Sequence, residues 1–511
     1  MFIKCFSAAL QGIHAELVTI EIHAVSGADF SLVGLPDNAI KESRDRIRAA
    51  MLVNGFKPPV KRLTINLSPA DLKKEGTCYD LPLAIGMLHI AEEVPSKHLE
   101  EYMMAGELSL DGQLQPIHGA LPIALLAREQ KMKGIILPLA NAQEAAVVDG
   151  IEVIAADSLL DVVRFLRDEQ VIEPFHIELA DEWMRAQTDS DIDFSDIRGQ
   201  QAVRRAMEVA AAGGHNLLMV GPPGAGKSML AKRLPTILPP LTLDEALETT
   251  KIHSVAGLLE KGRALVVRRP FRSPHHTVTD IALIGGGTNP RPGEISLAHN
   301  GVLFLDEVPE YKRSALEVLR QPLEDRKITV ARSKQTIEYP ASFMLVAAMN
   351  PCPCGHYGDP HHPCTCTPTQ IHRYKSRISG PLLDRIDIQC EVQAVPYELL
   401  RETAPGEPSS VVRERVVAAR LIQQRRFAQS PIHCNAQMSA KQVKQYCAID
   451  NAGDQLLRNA MERFGLSARA YDRILKVART IADLDNKEQI QAQHLVEAIS
   501  YRRLDRDNWG E

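Results

Sequence analysis

The chain has 511 residues, of which 45% are hydrophobic and 24% charged, and its formal net charge is -5. This composition is typical of a globular protein of two to four domains, and the charge argues against a nucleic-acid binder that is basic over its whole surface. No apolar run has membrane-spanning length and no secretory leader begins the sequence, so we expect a cytoplasmic protein without a membrane partner. Nine cysteines, an odd number, fit a reducing compartment better than a disulfide framework.

The first block, residues 1–172, alternates β-rich runs with helical runs and predicts an α+β domain. The β-rich runs include 16–23 and 61–67, and the helical runs include 37–52, 81–89 and 120–132. An acidic, weakly patterned stretch over 173–195 then predicts a linker.

The second block, residues 196–395, alternates strand and helix signals, as a parallel α/β domain does. Residues 396–410 are rich in helix-breaking residues and predict a hinge. From 411 to 511 the pattern is almost wholly helical, with a helix end at Gly465 and an N-cap at Ser467. The predicted fold class is therefore α/β, with a helical C-terminal domain.

The most informative motif is Gly221-Pro-Pro-Gly-Ala-Gly-Lys227-Ser228, which fills the phosphate-loop pattern G-x-x-x-x-G-K-[ST]. Its glycines let backbone N–H groups curl around phosphate oxygens, Lys227 offers a charge to the outer phosphates, and the Ser228 hydroxyl can hold Mg²⁺. The flanking runs, 216–220 and 228–234, predict a strand entering the loop and a helix leaving it with its N-terminal dipole towards the phosphates. The sequence therefore predicts a site for ATP and Mg²⁺. The residues predicted to bind the nucleotide here are Gly221, Pro222, Pro223, Gly224, Ala225, Gly226, Lys227, Ser228 and Met229.

Two later apolar runs are predicted to bring polar groups to the same edge of a sheet. The run 302–305 ends at Asp306, which would orient Mg²⁺, and Glu307, which would polarise the attacking water. Another run ends at Asn350, which is placed to hydrogen-bond that water or the γ-phosphate. The alternatives are a strand ending in solvated acids and a turn asparagine before Pro351.

Four cysteines crowd into a predicted cysteine hairpin over 350–368, as the pairs Cys352, Cys354 and Cys364, Cys366. Paired thiolates on two short turns can complete a tetrahedral Zn²⁺ site and organise a segment too short to have a core. The C-x-C spacing is less common than C-x-x-C, and unligated cysteines in a cytosolic loop are the alternative. Substitute ligands would be His356, His361 and His362.

Three basic stretches interrupt the mildly acidic average and favour contacts with the phosphates of DNA. They lie over 261–272, at Arg332 and Lys334 on the tip of a predicted hairpin, and over 371–377. Each stretch alone is more often a solvated surface, whereas the three together favour nucleic acid.

The motifs GPPGAGKS, VLFLDE, AAMN and SGPLLDRID, in that order, resemble those of AAA+ ATPases of the magnesium-chelatase branch. Over essentially its whole length the chain is similar to the magnesium-chelatase-related proteins, whose characterised members include a branch-migration helicase of natural transformation. The resemblance implies a hexameric ring in which Arg385 acts in trans on the neighbour's γ-phosphate. It also makes Arg469 the sensor arginine of a helical lid. From the residues alone, Arg385 between two acids could equally form a structural ion pair.

The function that the resemblance implies is ATP-driven translocation on branched or single-stranded DNA, as in recombination or transformation. The alternative is a magnesium-chelatase-like or protein-remodelling ATPase that acts on a protein or metal-cofactor partner.

The first block resembles the proteolytic domain of Lon, over 67–85 and 106–116. Where Lon has its catalytic serine and lysine, this chain has Cys78 and Leu121. A cysteine without a base is not activated, so we expect a Lon-like fold without peptidase activity. His118, close to the position of the lost lysine, is the alternative base.

Overall fold

A computed structural model describes residues 1–179, 192–260, 262–287, 290–331, 336–359, 362–394, 406–430 and 432–502. The chain divides into two compact units. The first unit comprises Met1–Thr188 and Leu243–Val267, and the second comprises Asp189–Thr242 and Arg268–Glu511. Within the described ranges, every helix is too short or too polar to span a bilayer.

The strands are β1 (Phe2–Gln11), β2 (His14–Val25), β3 (Phe30–Val33), β4 (Arg62–Ser68), β5 (Tyr102–Met104), β6 (Glu107–Leu108), β7 (Leu114–Gln115), β8 (Gly134–Pro138), β9 (Glu152–Ala156), β10 (Leu217–Val220), β11 (Phe271–Arg272), β12 (Gly285–Gly286), β13 (Arg291–Pro292), β14 (Val302–Leu305), β15 (Lys327–Ala331), β16 (Thr336–Pro340), β17 (Met344–Met349) and β18 (Ile388–Glu391).

The α-helices are α1 (Asn38–Val53), α2 (Asp80–Ile90), α3 (Ala120–Glu129), α4 (Ala142–Ala145), α5 (Leu159–Leu166), α6 (Gln201–Gly213), α7 (Lys227–Ile237), α8 (Leu243–Ala256), α9 (Asp280–Ile284), α10 (Glu294–Leu297), α11 (Arg313–Glu317), α12 (Arg320–Asp325), α13 (Pro368–Lys375), α14 (Gly380–Leu383), α15 (Ser409–Arg426), α16 (Ala440–Tyr446), α17 (Asn451–Phe464), α18 (Ala468–Leu484) and α19 (Ala492–Ser500). Short 3₁₀ turns cover Leu139–Asn141, Phe194–Asp196, Val308–Glu310 and Asn435–Gln437.

The first unit is built on a seven-stranded mixed sheet in the order β3-β4-β2-β1-β5-β8-β9. Long antiparallel pairings join β1 to β2 and β2 to β4, whereas β5, β8 and β9 run parallel. Helix α2 is apolar on all sides and nearly every residue in it is buried, as expected of a helix at the centre of a core.

The segment 243–267 belongs to the first unit, although its position in the sequence lies inside the predicted block 196–395. The reason is burial. Ala264, Leu265 and Val267 are members of the hydrophobic cluster that also contains helix α3 and strand β8 of the first unit. The chain therefore leaves the second unit after Thr242 and returns to it at Arg268.

The second unit contains a five-stranded parallel sheet in the order β11-β14-β17-β10-β18. Strands β10, β14 and β17 are buried along their whole length, which explains their continuous apolar sequences. Because these strands are parallel, the residues that follow them meet at one edge of the sheet. The predicted α/β fold class with a helical C-terminal region is confirmed.

The helical region, 409–502, begins and ends its helices as the local sequence predicts. Gly465 takes a left-handed conformation (φ 61°) at the end of α17, and the Ser467 side chain accepts a hydrogen bond from the backbone N–H of Ala470 at the start of α18. Parts of the predicted linker (180–191) and hinge (396–405) and the last residues (503–511) lie outside the described ranges.

Candidate nucleotide site and cysteine cluster

The phosphate loop, Gly221–Ser228, joins strand β10 to helix α7, as its sequence predicts. Gly224 and Gly226 adopt left-handed backbone conformations (φ 76° and 88°), which glycine reaches without strain. At Gly221 a side chain would collide with the backbone carbonyl of Val392. The first N–H groups of α7 have no partner within the helix and face the loop, so the loop ends in an anion-binding helix terminus.

Lys227 is buried at the centre of this loop and is only 8% exposed. Its ammonium donates hydrogen bonds to the carbonyls of Gly221 (2.6 Å) and Pro222 (2.9 Å) and to Oδ1 of Asn350 (3.0 Å). Burial lowers the pKa of Lys227, and the nearby carboxylates of Asp306 and Glu307 oppose that shift. The carbonyls of the loop thus hydrogen-bond an ammonium group that is also placed to bind phosphate oxygens.

Asp306 and Glu307 follow strand β14 at the same edge of the sheet. The Ser228 hydroxyl donates to Asp306 Oδ2 at 2.5 Å, so the two predicted Mg²⁺ ligands are already in contact. Glu307 has a left-handed backbone (φ 51°), which is uncommon for a residue with a side chain and is typical of functional sites. The structure therefore brings Lys227, Ser228, Asp306 and Asn350 together.

His276 is a site residue that the sequence did not assign. Its Nδ1 lies 3.6 Å from Glu307 Oε2, and its ring packs edge-on against Tyr311. The strand that leads to it, β11, is only two residues long, but it pairs in parallel with β14. That pairing takes the following loop to the nucleotide edge. The short strand gave too weak a periodic signal to place the histidine in advance.

Gln200 is a second unassigned neighbour of the phosphate loop. Its side-chain amide donates to the carbonyls of Ala225 (3.1 Å) and Gln393 (3.0 Å), and its backbone is left-handed (φ 48°). It therefore joins the start of α6 to the loop and to the end of strand β18.

Arg385 does not reach the phosphate loop of its own chain. Its guanidinium is buried, donates to the Pro381 carbonyl at 2.5 Å and forms an ion pair with Glu324. Burial lowers the pKa of this guanidinium, and Glu324 opposes the shift. The backbone carbonyl of Arg385 accepts from the Asn216 side chain (2.8 Å), directly before strand β10. Arg385 thus lies at the sheet edge opposite to Lys227.

Arg469 lies on the Arg385 side as well. Its side chain is 65% exposed at the start of α18, and its Nη1 is 3.8 Å from Asp384 Oδ2. The structure therefore groups both predicted arginines together and away from the nucleotide groups of the same chain.

The four cysteine sulfurs of the hairpin converge on one point. Cys352 Sγ lies 3.3 Å from Cys354 Sγ and 3.7 Å from Cys364 Sγ, and Cys354 and Cys364 are 3.6 Å apart. Cys366 Sγ accepts from the backbone N–H of Cys354 at 3.4 Å. Disulfide sulfurs would be about 2.05 Å apart, whereas a tetrahedron with Zn–S bonds of about 2.3 Å has edges of about 3.8 Å. The spacing fits four thiolate ligands around Zn²⁺.

The thiol of Cys354 is also prepared for metal binding by its backbone surroundings. Hydrogen bonds from the backbone N–H groups of His356 and Thr365 lower its pKa. A thiolate rather than a thiol is the form that binds zinc.

The histidines of the hairpin form a separate group. Nδ1 of His356 (3.3 Å) and Nδ1 of His362 (3.1 Å) both contact Oδ2 of Asp359. The cysteine set is complete without them, so these two are not needed as substitute ligands. His361 lies outside the described ranges.

The basic stretches differ in how their charges are used. In 261–272, Arg269 donates to the carbonyls of Pro239 and Asn300, and Arg272 forms an ion pair with Glu294 (2.7 Å). These arginines stabilise the second unit. In 371–377, His372 and Arg373 are exposed on helix α13. Arg332, Lys334 and Lys261 lie outside the described ranges.

In the first unit, the positions that correspond to the Lon dyad hold Cys78 and Leu121. Cys78 packs against both hydrophobic clusters of that unit, and burial raises the pKa of its thiol to about 12. Leu121 is fully buried, and its backbone N–H donates to the carboxylate of Glu144 at 2.8 Å. The ring of His118 packs against Gly257 of the same unit.

Comparisons with known proteins identify the family of this chain. Family models of the magnesium chelatase subunit ChlI match residues 20–141, 193–400 and 406–502. The competence protein ComM of Haemophilus influenzae is 46% identical over 502 residues, which cover 98% of this chain and 97% of ComM. The uncharacterized protein YifB of Escherichia coli is 45% identical over 500 residues, covering 98% and 96% of the two chains. Lon protease 2 of Bacillus subtilis is 29% identical over 146 residues, 27% of this chain and 25% of Lon.

Proposed function

Because this chain belongs to the magnesium chelatase-related AAA+ family that includes ComM and YifB, we propose that it is a cytoplasmic ATPase that couples ATP hydrolysis to translocation on DNA. The observation that carries the proposal is the buried Lys227, which is held between the carbonyls of its own loop and Asn350. An ammonium, a hydroxyl, carboxylates and a helix N-terminus at one sheet edge form the donor set that a nucleoside triphosphate and Mg²⁺ require.

The side chains have separate roles in this proposal. The loop N–H groups and Lys227 bind the phosphates of ATP. Mg²⁺ would be held by Ser228 and Asp306, where it neutralises charge on the phosphates. Glu307 polarises the attacking water, and Asn350 positions that water or the γ-phosphate. The carbonyls of Gly221 and Pro222 accept hydrogen bonds from the Lys227 ammonium. Phosphate oxygens of ATP would replace them as acceptors.

Arg385 and Arg469 fit a ring in which each serves the neighbouring subunit, and we propose a hexamer of this kind. Both lie at the sheet edge away from their own phosphate loop, and Arg385 would exchange Glu324 for the neighbour's γ-phosphate. Mixing inactive Arg385→Ala subunits with inactive Glu307→Gln subunits tests this. If Arg385 acts in trans, some interfaces then combine an intact Glu307 with an intact Arg385 and hydrolysis returns. An Arg385 that acted within its own chain would leave the mixture inactive.

Branched or single-stranded DNA is the partner that we propose. The support is the 46% identity to a protein named for competence, together with the exposed Arg373 of helix α13 and the predicted hairpin tip at Arg332 and Lys334. A role in recombination or transformation follows from the same relationship. The Lon-like unit is proposed to lack peptidase activity, because a thiol of raised pKa is a poor nucleophile and Leu121 stands where Lon has its lysine.

The cysteine hairpin is proposed to bind one structural Zn²⁺ per chain. Four thiolates leave no open coordination position, so a catalytic role is excluded for a site of this composition. Metal analysis of protein purified without chelators should give one zinc per chain, and a content far below one would contradict the assignment.

The deciding experiment is steady-state ATP hydrolysis with and without a branched DNA, at low and at moderate salt. We expect DNA to stimulate hydrolysis, and the stimulation to weaken as salt rises, because phosphate contacts release counterions. An unchanged rate at both salts would contradict the DNA proposal. It would favour the alternative suggested by the ChlI family models, an ATPase acting on a protein or metal-cofactor partner.

A further inference from the structure

The cysteine hairpin lies directly against the phosphate loop. At Gly355, between Cys354 and the histidines, a Cβ atom would stand 2.5 Å from Cδ and 2.6 Å from Cγ of Pro223. Gly355 also has a left-handed backbone (φ 87°). The main chain of the hairpin therefore packs on the ring of the third residue of the phosphate loop.

The hairpin holds Gly355 at this contact through its cysteines. The N–H of Gly355 donates to the carbonyl of Cys352 at 3.0 Å, and Cys352 is fully buried. Asn350, two residues before Cys352, accepts from Lys227 at 3.0 Å. The sulfur cluster is thus tied to the loop at two points, the Asn350 amide and the Gly355 backbone.

We propose that the metal-loaded cysteine hairpin is a positioning element for the phosphate loop, so that zinc occupancy sets the affinity for ATP. This rests on the proposed nucleotide site. The physical reason is that a proline ring is part of the main chain and cannot rotate away from a neighbour. A displaced Gly355 therefore moves the loop itself. Four metal–sulfur bonds fix a segment that has no core of its own.

The two glycines of the hairpin provide a matched pair of variants. Gly355 and Gly358 both have left-handed backbones (φ 87° and 79°), so alanine strains them alike. A Cβ at Gly358, however, meets no atom within 4 Å. We expect Gly355→Ala to raise the Kd of a fluorescent ATP analogue about tenfold or more, and Gly358→Ala to change it less than about twofold.

Two further variants separate loop displacement from general damage. Gly355→Ala should retain one zinc per chain, which shows that the hairpin still forms. Adding Pro223→Ala removes Cγ and Cδ of the ring, so the double variant should bind the analogue more tightly than Gly355→Ala alone. Cys364→Ser should lose zinc and raise the Kd to a similar extent.

Lys227→Ala is measured beside them to keep the two proposals distinct. If Lys227→Ala abolishes binding while Gly355→Ala and Cys364→Ser bind as the wild type does, the positioning role is overturned and the ATP site stands. A lack of rescue by Pro223→Ala also counts against the positioning role. If Lys227→Ala binds as the wild type does, the proposed function itself fails.

Discussion

Two places in this molecule, one in each unit, carry residue types known from catalysis, and they differ in the side chains that surround them. In the second unit, the buried Lys227 and the half-buried Ser228 contact the polar side chains of Asn350 and Asp306. In the first unit, Cys78 packs against hydrophobic clusters and Leu121 is an aliphatic side chain. Polar partners stabilise the charged form of a buried side chain, whereas burial among apolar groups favours the neutral form.

The largest effect is expected at the polar site. Lys227→Ala should reduce the rate of ATP hydrolysis by at least about 10³-fold, because the charge that stabilises the phosphates is lost. Lys232→Ala provides the control, since Lys232 is exposed on the same helix and should leave the rate unchanged. Hydrolysis that survived in Lys227→Ala would move the chemistry away from the phosphate loop and break the comparison.

The apolar site is tested by alkylation of Cys78. With its pKa raised to about 12, the thiol should react with iodoacetamide about 10³-fold more slowly at pH 8 than an ordinary cysteine. The rate should grow about tenfold for each pH unit between 7 and 9. Mass spectrometry of the peptide containing Cys78 measures this, with urea-unfolded protein as the control. Fast labelling in the folded protein would reopen the peptidase hypothesis.

A third test concerns Asp387, a buried carboxylate whose partners are basic side chains. Burial opposes ionisation of Asp387, but Arg473 and His215 hold its pKa well below the usual range. Asp387→Asn should lower the free energy of unfolding by about 3 kcal/mol at pH 7. Since the folded pKa is depressed, this contribution is present above the ordinary aspartate pKa of about 4 and is lost as pH falls below it.

Urea unfolding of the wild type and Asp387→Asn from pH 7 down to about pH 2 measures the effect, because the contribution is lost only below the ordinary aspartate pKa. Asp384→Asn is the control, because its carboxylate is 34% exposed and lies 3.8 Å from Arg469. It should cost less than about 1 kcal/mol. Equal losses of unfolding free energy in the two variants would show that the buried interactions of Asp387 stabilise the fold no more than the exposed ones of Asp384.

The smallest effect is expected at Glu144, the carboxylate of the first unit that has no cationic partner among its described hydrogen bonds. Burial raises its pKa, and hydrogen bonds from the Ser254 hydroxyl and the Leu121 N–H oppose the shift. Glu144 therefore stays protonated to a higher pH in the folded chain than in the unfolded chain. The free energy of unfolding falls as pH rises above the ordinary glutamate pKa.

Between pH 5 and pH 7 the free energy of unfolding should fall less in Glu144→Gln than in the wild type. The difference between these two falls should be smaller than the stability that Asp387→Asn loses. Glu129→Gln, at an exposed position of helix α3, should follow the wild type over the same range. Urea unfolding at both pH values measures the difference. A wild type that is equally stable at both would contradict the direction of the shift.

Local signals in the sequence were sufficient for the phosphate loop and for the two strands that present its partners. Continuous apolar runs such as Val302–Leu305 and Met344–Met349 predicted buried parallel strands, and parallel pairing then placed Asp306 and Asn350 near the loop. Ser467 was recognised as a helix cap for the same reason, since a cap is defined within one turn.

Other features had no local signal. Strand β11 has two residues, so nothing near His276 indicated that it would approach Glu307. The run 243–267 resembles any other helical stretch of an α/β block, and only its burial against helix α3 assigns it to the first unit. Arg385 forms its ion pair with Glu324, which is far away in the chain, whereas the alternative expected from the sequence was a pair with the acids beside it.

The sequence by itself predicted which residues bind phosphate, magnesium and zinc, because each of these groups needs particular donor atoms at short spacing along the chain. Only the tertiary structure decided that the cysteine hairpin rests on Pro223 and that Arg385 faces away from its own nucleotide site. The physical reason is that strand pairing and packing join segments distant in sequence. The local sequence pattern of either segment does not contain the distances between their side chains.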